Sequence, residues 1–209
     1  MRGSRVLSLN GVKGVNFLKE NGSLIFLTLI FVLGVLSGAL FFEKQVSVAD
    51  YAKNQFTDFL VLRQKGTFFA IFFSSLINLL IYFGGVFIAG TSVVGNIVSP
   101  FVVMWFGFNF GTLATYLYSG YALKGIAFSA IILIPSSAIF ALILVFCSRE
   151  AMRFSLLLTR LFTPQGVSAS VYENFKSYCM KFLYYLAFVV LSATADALLS
   201  TFFIKFFDF

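Results

Sequence analysis

The sequence predicts an all-α integral membrane protein with five transmembrane helices plus amphipathic interfacial helices. Three observations predict it. The 209 residues are 60% hydrophobic and only 11% charged, against about 25% charged in a soluble domain. The mean hydropathy is +0.96. Long uncharged runs recur, with no period-2 alternation of the kind a membrane barrel needs. Backbone groups in lipid must be satisfied within each segment, which leaves helices. So little polar surface excludes an ordinary cytosolic enzyme and a disordered chain.

A helix needs about 20 apolar residues to cross the bilayer core. The first span, 23–42, carries no charge. Its apolar core is longer than a signal-peptide core and no clear small-residue cleavage site follows it. Spans near 67–89, 97–118, 125–147 and 182–204 follow. Five crossings put residues 1–22 and 148–181 on one side. Together these carry Arg2, Arg5, Lys13, Lys19, Arg149, Arg153, Arg160, Lys176 and Lys181. The other side carries Lys44, Lys53, Arg63, Lys65, Lys124 and Lys205. Nine against six predicts a multi-pass membrane protein with its N-terminus cytoplasmic and its C-terminus outside.

Two segments outside the spans have helical character. In the extracytoplasmic segment 43–66, Val48, Ala52, Phe56, Phe59 and Leu60 share one face. Asp50, Lys53, Asn54, Thr57 and Asp58 share the other. That is an amphipathic helix resting its apolar side on lipid or on the bundle. In the cytoplasmic segment 148–181, the fourth helix runs on until Thr163-Pro164-Gln165-Gly166 breaks it. Ser170 and Glu173 have capping-box spacing, so a second short helix starts there. The uncharged join at 90–96, with Gly90 and Gly95, is either a tight hairpin or partly buried in the bundle.

The net charge of +7 follows from topology. No basic run interleaved with aromatics points to nucleic acid. The chain has no His, which removes an imidazole base, a Ser-His triad and His-based metal sites. Phosphate-loop and zinc-protease motifs are missing from the sequence. Cys147 and Cys179 have no ligand spacing and read as packing residues. No catalytic residue, metal ligand or cofactor is therefore expected.

The intramembrane polar candidates are Asp196, Asn78 and Asn109. A charge inside a span costs at least about 2.5–3.5 kcal/mol on the insertion scale, so Asp196 must face protein and find a partner. It is either a relay group or a structural acid, and no other charge lies within a span. Asn78 and Asn109 read as buried amides that hydrogen-bond between helices. Gly34 with Gly38, and Gly107 with Gly111, have the small-xxx-small spacing of close helix contact, within the chain or in a homo-oligomer. Pro135 should kink the fourth span, with Ser136 and Ser137 able to satisfy freed carbonyls.

Four local patterns then carry a resemblance. They are Asn78-Leu79-Leu80 followed by Gly84 and Gly90, and Phe108-Asn109-Phe110-Gly111. The third is Ile134-Pro135-Ser136-Ser137 before an Ala-containing run, and the last Ala193-Thr194-Ala195-Asp196-Ala197. In order and spacing, over about residues 20–205, the chain resembles the stage II sporulation protein M family. Asp196 stands where that family closes with Glu. Ser136 and Ser137 stand where its proline is commonly followed by His-Gly. The resemblance implies a non-enzymatic scaffold, known from forespore engulfment in sporulation, that organises peptidoglycan hydrolases and other membrane or extracytoplasmic proteins. The residues themselves leave a second reading open. Asp196 and the Gly- and Pro-interrupted spans also fit the membrane subunit of a transporter or ABC-type permease.

Overall fold

The computed structural model describes residues 3–161 and 171–204, with side chains for 21–160 and 172–204. The break at 163–166 and the capping residue Ser170 lie outside the described residues. Among the described residues there is no strand. The helices are α1 (Gly3–Lys44), α2 (Val46–Lys65), α3 (Phe68–Gly90) and α4 (Gly95–Phe128). A five-residue π-helical turn at Ser129–Leu133 leads into α5 (Ile134–Leu161), and α6 follows (Val171–Phe203).

The joins explain where each helix stops. Gln45 is extended (φ −127°, ψ 115°), which separates α1 from α2. Gly66 is extended too, and its N–H donates to the Leu62 carbonyl at 2.8 Å. Thr67 then caps α3, its hydroxyl accepting from the Ala70 N–H at 3.4 Å, and so satisfies one of the orphan donors of a helix start. The glycine-bounded join after α3 is a tight hairpin docked on α5. Ser155 accepts from the Asn96 N–H at 3.0 Å and donates to the Val93 carbonyl at 3.1 Å.

Four stretches are long and apolar enough to cross a membrane: Asn21–Lys44, Phe68–Gly90, Gly95–Arg160 and Tyr172–Phe203. The third has 66 residues. As one straight helix it would be about 100 Å long, three times the hydrocarbon thickness. It instead folds back at Ala122, whose backbone (φ 46°, ψ −124°) is not helical. The third and fourth predicted spans are thus its two arms, joined with no intervening coil. Side-chain pairs fix the directions. Phe106 meets Phe140 while Asn96 meets Ser155, so the arms run antiparallel. Phe87 meets Tyr178 and Ser75 meets Asp196, so α3 and α6 are antiparallel. Gly34 lies against Met104 and Gly38 against Phe108, so α1 and α4 are parallel. The five apolar arms alternate in direction, as successive crossings must.

The surface is inverted relative to a soluble protein. On α1, Leu29, Leu33, Leu36 and Leu40 form an exposed stripe, and on α3 Phe69, Phe73, Ile77 and Ile81 do the same. Apolar surface on this scale marks contact with lipid. The chain is an all-α, multi-pass membrane protein. Its interior holds two apolar clusters. One centres on Phe83, Phe106, Phe140, Phe154 and Phe182. The other centres on Phe56, Leu117, Phe128 and Ile132.

Both glycine pairs are used in a single place. A Cβ at Gly34 or Gly38 would strike the backbone of Met104 or Phe108, and one at Gly107 or Gly111 would strike Phe31 or Val35. The two small-xxx-small motifs pack on each other within the chain, so neither is left to serve a dimer.

Candidate functional site: a polar chamber under α2

α2 sits in the bundle on the face that the sequence marks as apolar. Ala52 and Phe56 are buried, and Asp50, Lys53, Asn54, Thr57 and Asp58 are exposed. Phe56 makes ring contacts with Phe59, Tyr116, Tyr121 and Phe128 at 5.6–6.4 Å between centroids. The inward stripe does not end with Phe59 and Leu60. Arg63, seven residues after Phe56, continues it and is only 6% exposed.

Arg63 is the partner of Asp196. Its Nη2 donates to Asp196 Oδ2 and, at 3.3 Å, to the Ser75 hydroxyl. Its Nε donates to Ser200 Oγ at 2.9 Å. Ser75 in turn donates to Asp196 Oδ2 at 2.5 Å. The guanidinium carbon lies 3.3 Å from the centroid of the Phe59 ring, a cation–π contact. Sequence reading leaves Asp196 as the lone intramembrane charge, and the structure corrects this. The cation comes from the neighbouring amphipathic helix, whose residues lie outside every apolar run. Burial pulls the Arg63 guanidinium below its ordinary value, and the Asp196 charge and hydrogen bond push it back up. Arginine remains protonated in proteins, so the pair is ionic. Ser200 and Ser75 supply the hydrogen bonds without which a buried pair is net unfavourable.

Asn109 is a second node, 6% exposed. Its Oδ1 accepts from the Tyr51 hydroxyl of α2 at 2.9 Å. Its Nδ2 donates to the Trp105 carbonyl at 2.9 Å and to the Tyr82 hydroxyl at 3.3 Å. It ties α2, α3 and α4 together with both amide N–H donors and its oxygen in use. Asn78 differs from expectation: it is exposed rather than buried. It sits one turn from Ser74 on α3, at the edge of the lipid-facing stripe, where α2 covers α3 incompletely.

Pro135 is the second residue after the π-helical turn. Proline has no N–H to give the preceding turn, and the serine after it bonds back to the same helix. Ser136 donates to the Ile132 carbonyl at 3.1 Å and the Leu133 carbonyl at 3.3 Å. The Ser136 carbonyl accepts from Ser192 of α6 at 3.1 Å.

These features line one half-open cavity of about 360 Å³. Asp196, Asn78 and Asn109 all line it, with Arg63, Asp58 and Gln55 from α2, Ser74 and Ser75 from α3, and Ser136, Ser137 and Ser192 from α5 and α6. Phe106 walls it from one apolar cluster, and Leu113 and Leu133 from the other. Gln55 Oε1 is buried without a hydrogen-bond partner. Asp58 makes no ion pair among the described residues. The chamber therefore has a hydrogen-bonded side (Arg63, Ser75, Asp196, Asn109) and an open side, where Asp58, Ser74 and Asn78 are exposed and Gln55 Oε1 is buried without a partner.

Elsewhere, Cys147 is a buried free thiol in the main cluster and Cys179 a half-buried one beside it. Glu150 bridges Arg153 at 3.2 Å and Lys181 at 2.7 Å, joining α5 to α6 at the bundle end remote from α2. Among the described residues no three His, Cys, Asp or Glu side chains could hold a metal ion together. Compared with known proteins, the chain matches no family model, no curated protein and no solved structure.

Proposed function

We propose that this chain is a non-enzymatic membrane subunit of the transporter or permease type, which admits a small polar solute to the chamber under α2. One observation carries the reading. Polar groups of five helices converge on a single cavity, and Gln55 Oε1 on its open side is buried without a partner. Stability alone does not account for that arrangement, because a buried ion pair is often replaced by apolar residues at no loss. A polar cavity between helices of a bundle, near residues that break regular helix, is where membrane transport proteins place their sites. The π-helical turn beside Pro135 is such a break, and π-bulges gather at functional sites. The Lys and Arg distribution supports an orientation with the N-terminus inside and α2 with the chamber mouth on the outer side; the bacterial cytoplasmic membrane is what the family resemblance implies.

A second reading rests on a different observation, the exposed polar face of α2 (Asp50, Lys53, Asn54, Thr57, Asp58). Together with the resemblance to the stage II sporulation protein M family, it supports a scaffold that holds extracytoplasmic wall-remodelling proteins. In that reading the chamber is only the joint that holds α2 in place.

Cysteine accessibility separates the two. Asn78→Cys and Ser137→Cys are introduced into a chain carrying Cys147→Ala and Cys179→Ala, in sealed vesicles of each orientation. A membrane-impermeant thiosulfonate is expected to modify both positions from either face, as an alternating chamber requires. Modification from neither face, or from the α2 side alone, contradicts transport. Crosslinkers at Asn54 that capture an extracytoplasmic protein in the same cells would then favour the scaffold.

A further inference from the structure

Resting on the reading of the chamber as a solute site, we infer that its ligand is a small organic ammonium cation. The charges that line it are Arg63, Asp196 and Asp58. Arg63 and Asp196 neutralise one another through direct contact, which leaves Asp58, an exposed residue that also lines the chamber, as its one charge without an ion pair among the described residues. Beside Asp58, one helical turn before it on α2's inward side, Gln55 presents a buried carbonyl oxygen with no donor. An ammonium group supplies what both lack: positive charge and N–H or polarised C–H donors. An anion finds the only cation already engaged by Asp196, Ser75 and Ser200.

The walls select the body of the ligand. Tyr82, Phe106 and Phe110 line the chamber, and aromatic rings attract alkylammonium groups through their negative faces. A bare metal ion takes a close oxygen cage, whereas this space of about 360 Å³ is part aromatic and wide enough for several heavy atoms. Such cations reach a membrane protein from two sources, as free amines or as the headgroups of aminophospholipids. The exposed Ser74 and Asn78 beside Phe73 and Ile77 give the second source a lateral path.

The test is calorimetric titration of the full chain in phosphatidylglycerol nanodiscs with choline, butylammonium and, as the anionic match, butyrate. Saturable binding of the two cations and none of butyrate is expected. Asp58→Asn should weaken cation binding at least fivefold, while Asp50→Asn, about two turns away on the same helix and outside the chamber lining, should leave it unchanged. Tighter binding of butyrate, no saturable binding of either cation, or equal effects of the two substitutions would overturn the inference. Repeating the titration in phosphatidylethanolamine nanodiscs names the source. A lowered apparent affinity for butylammonium means the headgroup competes, and an unchanged one means the free amine is the ligand. Cation binding without two-sided cysteine access would reject transport and keep the ligand class. Two-sided access with butyrate binding would do the reverse.

Discussion

Arg63 and Ala122 show how single residues decide this architecture. Arg63 turns the end of an amphipathic helix inward, since its guanidinium can be buried only where Asp196, Ser75 and Ser200 meet it. Ala122 does the opposite service, reversing the chain within one residue. Its φ of 46° and ψ of −124° place an L side chain where glycine is the ordinary occupant, and strain of this kind amounts to about 1–3 kcal/mol. Ala122→Gly should therefore raise the thermal midpoint in detergent, in contrast to the loss of about 1 kcal/mol that glycine causes inside a regular helix. A lowered midpoint would mean that the reversal is not strained. Neither residue announces itself in the sequence. Positive φ at alanine has no local signature, and Arg63 looks like one of several outer cations until the stripe through Ala52, Phe56 and Phe59 is extended by one more turn.

Among the elements, α1 and α4 make the closest contact. Each of Gly34, Gly38, Gly107 and Gly111 lies where a methyl group would meet backbone of the facing helix. Lipid gives apolar helices no hydrophobic reason to associate, so close van der Waals packing through small residues has to hold them. Gly107→Val should separate the pair and lower stability by about 1–3 kcal/mol, the usual range for overpacking. Gly84→Ala is the control. A Cβ there meets nothing, and alanine should be neutral or slightly stabilising. Equal losses from both, read by thermal unfolding in the same detergent, would contradict the packing. The glycine spacing was legible in the sequence, and so were the five apolar runs and the two faces of 43–66, because each depends on residues close along the chain. The chamber was not. Arg63 and Asp196 are 133 residues apart, and Asn109 finds Tyr51 and Tyr82 only after three helices have docked. The exposure of Asn78 depends on how far α2 covers α3, which no periodicity records.

At the scale of the whole molecule, five apolar arms of alternating direction surround two apolar clusters, and the polar chamber lies against both. α2 is the part of this arrangement that does not cross the bundle. It is held by the ring contacts of Phe56, by the Tyr51–Asn109 hydrogen bond and by the Arg63–Asp196 pair. The proposed solute site, its ligand class and the polar outer face all depend on α2 being seated this way, so the pair that seats it is the place to test. Arg63→Met, Asp196→Leu and the double substitution are compared by unfolding in one detergent. Each single change should lose about 3–5 kcal/mol, because it leaves an uncompensated buried charge, and the double change should recover most of that loss. Additive losses in the double variant would show that the two side chains do not meet, and α2 would have to lie elsewhere.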